Sequence, residues 1–204
     1  DRRSHAQPNA CPGCGPQLEP SRADGTPVSG DPVRETARVI REGGLAAVKG
    51  IGGFHLVCDA SNAEAVRRLR DRKGRNEKPL AVMCAGVASA KRIAEVNAAE
   101  ETLLTGTDPP IELLRKKRAF FDTSAFPGIA DELSEISMML PYTPLHALLF
   151  HALLGEPEGT AWMEEPQDLY LVMTSANPGG EPLVIGNEEA KKRLASIADV
   201  ILLH

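Results

Sequence analysis

Apolar positions along this chain recur in two rhythms, and the two alternate. After Asp31, the residues Val33, Ala37 and Ile40 fall at i, i+4 and i+7, one face of an α-helix. Asp31 suits its cap, Pro32 its first turn, and Gly43-Gly44 its stop. Residues 45–49 then form a short apolar run that reads as a strand, and residues 54–58 a second, with Gly50-Ile51-Gly52-Gly53 between them. Ser61 and Glu64 have the spacing of a capping box for a helix reaching about Asp71, with Val66 and Leu69 inward and Arg67, Arg68 and Arg70 outward. Residues 79–83 read as a buried strand, two short helices fit between Val87 and Leu104, and residues 111–114 form another strand. Residues 115–135 show little periodicity, carry mixed charge and hold Pro127-Gly128, so a mobile loop is expected there. Thr143-Pro144 opens a strongly apolar helix over 145–154, and residues 169–174 are a buried strand. Asn187 is placed to cap a helix with Ala190, Leu194 and Ile197 inward, and residues 200–203 are a last strand.

Strands alternating with helices predict an α/β fold, a twisted mixed sheet flanked by helices. Residues 1–28 hold Pro8, Pro12, Pro16, Pro20 and Pro27 without apolar periodicity, and read as a connector ahead of one domain over 29–204. A length of 204 residues suits one sizeable domain with a small appendage. No apolar run is long enough to span a bilayer and no secretory signal opens the sequence, so a cytoplasmic location is expected. The net charge of −5 argues against a generally basic nucleic-acid surface.

The four cysteines are of two kinds. Cys58 and Cys84 lie in apolar strand-like segments and read as small buried thiols. Cys11 and Cys14 have zinc-knuckle spacing, but supply half of a four-ligand site, with His5 the one nearby imidazole. Two free thiols on a flexible segment is the alternative, and an empty half-site is expected.

Four segments could carry chemistry. Arg72, Lys73, Arg75 and Lys78 place four cations within seven residues, around Gly74 and directly before an apolar strand. Such a run suits a polyphosphate, with lysine a point charge and arginine a planar fork, or is simply a solvated face. The strand ending in Thr174-Ser175-Ala176-Asn177 offers hydroxyls and an amide beyond a strand end, where open α/β sheets bind ligands, or an ordinary turn. Lys49 with the following glycines is a third candidate, a phosphate or carboxylate ligand or a surface lysine. His55 occupies the last glycine position of a dinucleotide fingerprint, and no Gly-x-x-x-x-Gly-Lys-Ser/Thr loop occurs. His146, in the first turn of the apolar helix, is either a buried hydrogen-bonded histidine or a substrate contact.

Taken together, Lys49-Gly50-Ile51-Gly52-Gly53-Phe54-His55, Lys73-x-Arg75-x-x-Lys78-Pro79, Leu140-Pro141-Tyr142-Thr143-Pro144-Leu145-His146 and Thr174-Ser175-Ala176-Asn177 resemble the YrdC-like domain of the HypF family of hydrogenase-maturation carbamoyltransferases. Residues 1–16, with Cys11-Pro12-x-Cys14-Gly15-Pro16, resemble the end of that family's zinc-finger module. The resemblance implies a YrdC-like fold and a reaction in three stages. An acylphosphatase-like domain releases carbamate from carbamoyl phosphate, the YrdC-like domain joins carbamate to AMP from ATP, and a further domain passes the carbamoyl group to the C-terminal cysteine of HypE. That group becomes the cyanide ligand of a nickel–iron hydrogenase. By motif position, Lys73 and Arg75 hold the triphosphate and act in catalysis, Lys78 and Lys49 lie beside them, and Thr174, Ser175 and Asn177 complete the nucleotide site. Mg²⁺ bridges the phosphates, His55 and His146 contact substrate, and zinc belongs to the full-length protein. Gly179 stands where family members often carry serine, and members continue beyond the position of His204. A piece of a longer protein is therefore expected.

Two alternatives differ in what they need. A threonylcarbamoyl-adenylate synthase, a tRNA-modifying relative, usually carries Thr-x-Tyr-Gly where this chain has Gly52-Gly53-Phe54-His55. A non-catalytic double-stranded-RNA-binding module would use the cations at 67–78, but the acidic total and single Trp162 offer it little.

Overall fold

The computed structural model describes residues 17–22, 25–26, 28–74, 78–107, 109–121, 126–177 and 182–203, with the side chains of Phe120 and Phe121 excepted. Cys11, Cys14 and Arg75 therefore lie outside the described residues.

The strands are β1 (Glu19–Arg22), β2 (Ala46–Lys49), β3 (Phe54–Asp59), β4 (Val82–Cys84), β5 (Glu112–Arg115), β6 (Glu135–Met139), β7 (Tyr170–Ser175) and β8 (Val200–Leu203). They form one sheet in the order β1-β8-β2-β3-β7-β4-β6-β5. β8 with β2 and β4 with β6 run parallel, while the remaining neighbours are antiparallel, so the sheet is mixed as expected. The helices are α1 (Pro32–Arg41), α2 (Ala63–Lys73), α3 (Val87–Ile93), α4 (Ala98–Leu104), α5 (Arg118–Phe121), α6 (Pro144–Leu153) and α7 (Asn187–Arg193).

Period-two alternation sorts the side chains between two cores. Phe54, Leu56 and Cys58 of β3 join α2, α3 and α7 residues on one face. Val57 faces the other way, with Val33, Ala37 and Ile40 of α1 and Leu145, Leu149 and Phe150 of α6. His55 shares the parity of Val57, which brings it under α6. Among the described residues no helix is long and apolar enough to cross a membrane.

The structure corrects several sequence expectations. The proline-rich connector contains β1, which pairs antiparallel with β8; Pro20 is tolerated because this is an edge strand. Asn62, not Ser61, caps α2, its Oδ1 accepting from Ala65 N at 3.0 Å. Ser61 is occupied by Asp59 Oδ1, at 2.8 Å from its amide and 2.7 Å from its hydroxyl. α2 runs on past Asp71 to Lys73 and ends at Gly74, whose φ of 63° is the left-handed conformation that glycine adopts freely. The strand expected over 79–83 is confined to Val82–Cys84. The expected loop over 115–135 holds α5 and the buried Phe126, Ile129 and Ala130, and β6 begins at its end. Gly186 rather than Asn187 caps α7, and Leu194 and Ile197, although buried, lie past its end.

Candidate functional site

Helix α2 delivers its last residue, Lys73, to the end of β7. Val66, Leu69 and Lys73 continue one helical stripe, so Lys73 points inward and is only 4% exposed. Its ammonium sits in a cage of oxygens. It donates to Asn177 O at 2.9 Å, Asn177 Oδ1 at 3.2 Å and Ser175 Oγ at 3.3 Å, and also to Ser175 O. Ser175 Oγ in turn donates to Asn177 Oδ1 at 2.6 Å, and Ala176 N bonds Phe54 O at 2.8 Å. Two segments about a hundred residues apart thus meet at one point.

The other cations of α2 have structural partners. Arg67 pairs with Glu64 and Asp71, and Arg68 donates to Gly43 O. Arg70 donates to Gly128 O at 2.7 Å and Lys78 O at 3.1 Å. Arg72 bonds Asp199 Oδ1 at 2.8 Å and Ile197 O at 2.9 Å. Arg72 is therefore a clamp onto β8 and its approach, not part of a phosphate wrap. Lys78 is exposed, and no described contact joins its side chain to the Ser175–Asn177 turn. Lys49 donates to Asn187 Oδ1 at 2.8 Å and lies 5.7 Å from the Phe54 ring centroid. Asn187, read in the sequence only as a cap, therefore belongs to this neighbourhood. Thr174 is buried in β7 opposite Leu56.

A second group lies on the α1/α6 face. His55 is the cross-strand partner of Ser175 and shares its sheet face. Its ring stands 6.3 Å, centroid to centroid, from both Tyr142 and His146, and those two are 4.5 Å apart. Tyr142 Oη lies 3.5 Å from His55 Nε2. Gly50 passes so close that a Cβ there would stand 2.9 Å from His55 Cε1 and 3.0 Å from Tyr142 Oη. Burial, and then the neighbouring His55, lower the His146 pKa to about 4. Burial alone lowers that of His55 and raises that of Tyr142. His146 is buried as expected, but neither of its ring nitrogens has a hydrogen-bond partner among the described residues. Tyr142 was not singled out from sequence; its place four residues before His146 was the available signal.

Neither buried thiol is a nucleophile, because burial pushes Cys58 and Cys84 up to about 12. Among the described residues no group of three or more His, Cys, Asp or Glu side chains could hold a metal ion. Two clefts indent the surface elsewhere. One of about 290 Å³ is lined by balanced charges including Arg38, Glu42, Arg68 and Asp199, and one of about 510 Å³ by Leu140, Pro141, Ala147 and Lys91 among others.

The Sua5/YciO/YrdC family model, described as telomere recombination, matches residues 38–204. The chain belongs to this family. A HypF finger model matches residues 1–19, which include Cys11 and Cys14. Carbamoyltransferase HypF2 of Cupriavidus necator is 54% identical over 183 residues, which are 89% of this chain and 22% of that protein. A crystal structure of full-length HypF in the phosphate- and nucleotide-bound form superposes with a TM-score of 0.82 at 41% identity, covering 100% of this chain and 24% of that one. Sua5 of P. abyssi, complexed with L-threonine, shares the fold with a TM-score of 0.65 at 21% identity over 83% of this chain and 46% of its own. As a member of the Sua5/YciO/YrdC family, the chain therefore has the YrdC-like fold, and it spans about a quarter of the HypF proteins it matches.

Proposed function

We propose that this chain is the adenylate-forming part of a HypF-type carbamoyltransferase acting in hydrogenase maturation. The observation that carries the reading is the Lys73 ammonium held at the Ser175–Asn177 turn. It joins the two segments that, from sequence, suited phosphate.

The chemistry follows from that arrangement. An ammonium has three protons, and at least four oxygens of the described residues share them, so a phosphate oxygen can replace one of these without leaving a proton unmet. Ser175 and Asn177, once exchanged, offer a hydroxyl and an amide to the nucleotide, and Arg75 comes two residues after Lys73 in the sequence. Carbamate oxygen attacks the α-phosphorus of ATP, the bond from that phosphorus to the α,β-bridging oxygen breaks, and carbamoyladenylate and pyrophosphate result. The protein's share is positioning and neutralisation of charge by Lys73 and Arg75, with His55 and His146 on the carbamate side. Mg²⁺, when bound, would neutralise the phosphates; no group of three or more His, Cys, Asp or Glu side chains among the described residues could hold it without them. Cys11 and Cys14 belong to the finger region and would hold zinc in a longer protein. The carbamoyl acceptor would be HypE.

Lys73→Ala and Arg75→Ala are each expected to weaken binding of ATP or AMP by about 1.5–3 kcal/mol, the scale of a charge-assisted hydrogen bond. Isothermal titration measures this. Wild-type affinity in both variants would overturn the assignment.

A further inference from the structure

Three ring nitrogens are sealed from solvent with no hydrogen-bond partner among the described residues: Nδ1 of His55 and both nitrogens of His146. His146 is only 1% exposed. Buried polar groups are nearly always bonded, so three orphans in one spot point to a missing partner. The orphans come from a strand and a helix that converge, and Gly50 is tolerated there only without a Cβ. The group adjoins the site already described, since His55 lies opposite Ser175, whose Oγ touches Lys73.

The polarity of the group limits what it can take. Burial keeps both imidazoles uncharged at neutral pH. An uncharged imidazole has one N–H and one lone pair, so His146 presents a donor and an acceptor together. A phosphate, which only accepts, would face a lone pair. A metal dication would find two imidazoles but no third ligand among the described residues. A small planar molecule with N–H donors next to C–O acceptors matches both. We propose that His55 and His146 read the amino group of carbamate, and so select it over bicarbonate and over carboxylates of the same shape. This rests on the adenylate reading above, since it puts the amino end at the imidazoles and the carboxylate toward Ser175 and Lys73.

The test uses the chain labelled with ¹⁵N in its histidine rings, first titrated with AMP and then with freshly dissolved ammonium carbamate. Sodium acetate and sodium bicarbonate, each with matched ammonium chloride, serve as controls; acetate has the shape and charge of carbamate but a methyl group for the amine. Carbamate is expected to shift the His55 and His146 ring nitrogens saturably. Acetate and bicarbonate are expected to bind about tenfold more weakly, the scale of one or two neutral hydrogen bonds. His146→Phe, which fills the space without orphaned nitrogens, is expected to melt higher and to bind carbamate and acetate within about twofold of each other. Equal responses to carbamate and acetate, or AMP binding with no imidazole response, would overturn the inference and leave the nucleotide site standing. Carbamate-selective shifts without AMP binding would uphold it and overturn the adenylate reading instead.

Discussion

His146 couples the candidate site to stability. Its pKa is about 4 in the fold against an ordinary 6.5, burial being the main cause and His55 the lesser. Between those values the unfolded chain binds the extra proton and the folded chain does not. Stability is therefore full above about pH 6.5 and is lost as pH falls toward 4, by about 3 kcal/mol for a shift of this size. His55, also lowered, acts in the same sense. Urea melts at pH 7 and pH 4.5 should show the loss, and His146→Phe should flatten it. An unchanged slope in that variant would assign the acid sensitivity to the paired carboxylates. Sequence alone made Lys73, His55 and His146 candidates, because lysine beside an apolar strand and histidine in an apolar helix are chemically conspicuous. What it could not give was burial. A local run of cations looks solvated, and only the stripe of Val66, Leu69 and Lys73 hinted that this one turns inward while Arg72 clamps Asp199.

Elements were legible where one periodicity dominates and illegible where tertiary contacts decide. The Asp31 cap of α1 is as read, its carboxylate accepting from Arg34 N at 2.8 Å. β6 was missed because five residues, Glu135 to Met139, give too few alternations to stand out beside Pro127-Gly128 and mixed charge. The segment before it is fixed by Ile129 O, which accepts from Leu80 N at 3.0 Å, a contact no local pattern reveals. α6 is the element that most directly positions the site. Thr143 caps it, its Oγ1 accepting from the amide of His146 itself at 3.2 Å. Thr143→Ala is expected to cost about 1 kcal/mol of stability, the usual value of such a cap, measured by denaturant titration. Because the lost bond ends on His146, the same variant should also disturb that ring's ¹⁵N resonances. Thr143→Ser, which keeps the oxygen, should restore both. A loss of stability with undisturbed imidazole signals would separate the cap from the site.

At the scale of the whole molecule the question is which small acid the sheet's open end accepts. A connector was expected where β1 lies, because an edge strand with a proline carries little periodic signal, and its pairing with β8 is a contact across most of the chain. The β2–β3 turn at the site end was read correctly as glycine-rich, and its packing now bears on substrate. A Cβ on Gly53 would stand 2.6 Å from Leu183 Cδ2 and 2.8 Å from Val184 O, so no side chain fits there. Phe54 is fully buried in the opposite core, and the nearby imidazoles carry no charge. A threonine zwitterion needs partners for an ammonium, a carboxylate and a hydroxyl, and this turn supplies no anionic group for the ammonium. Carbamate needs only a planar slot with donors and acceptors. In a protein of the full length of its HypF relatives, exchange of labelled pyrophosphate into ATP is therefore expected to require carbamoyl phosphate. Threonine with bicarbonate should leave the exchange rate at background. Threonine-dependent exchange would overturn the choice of carbamate and favour the tRNA-modifying chemistry.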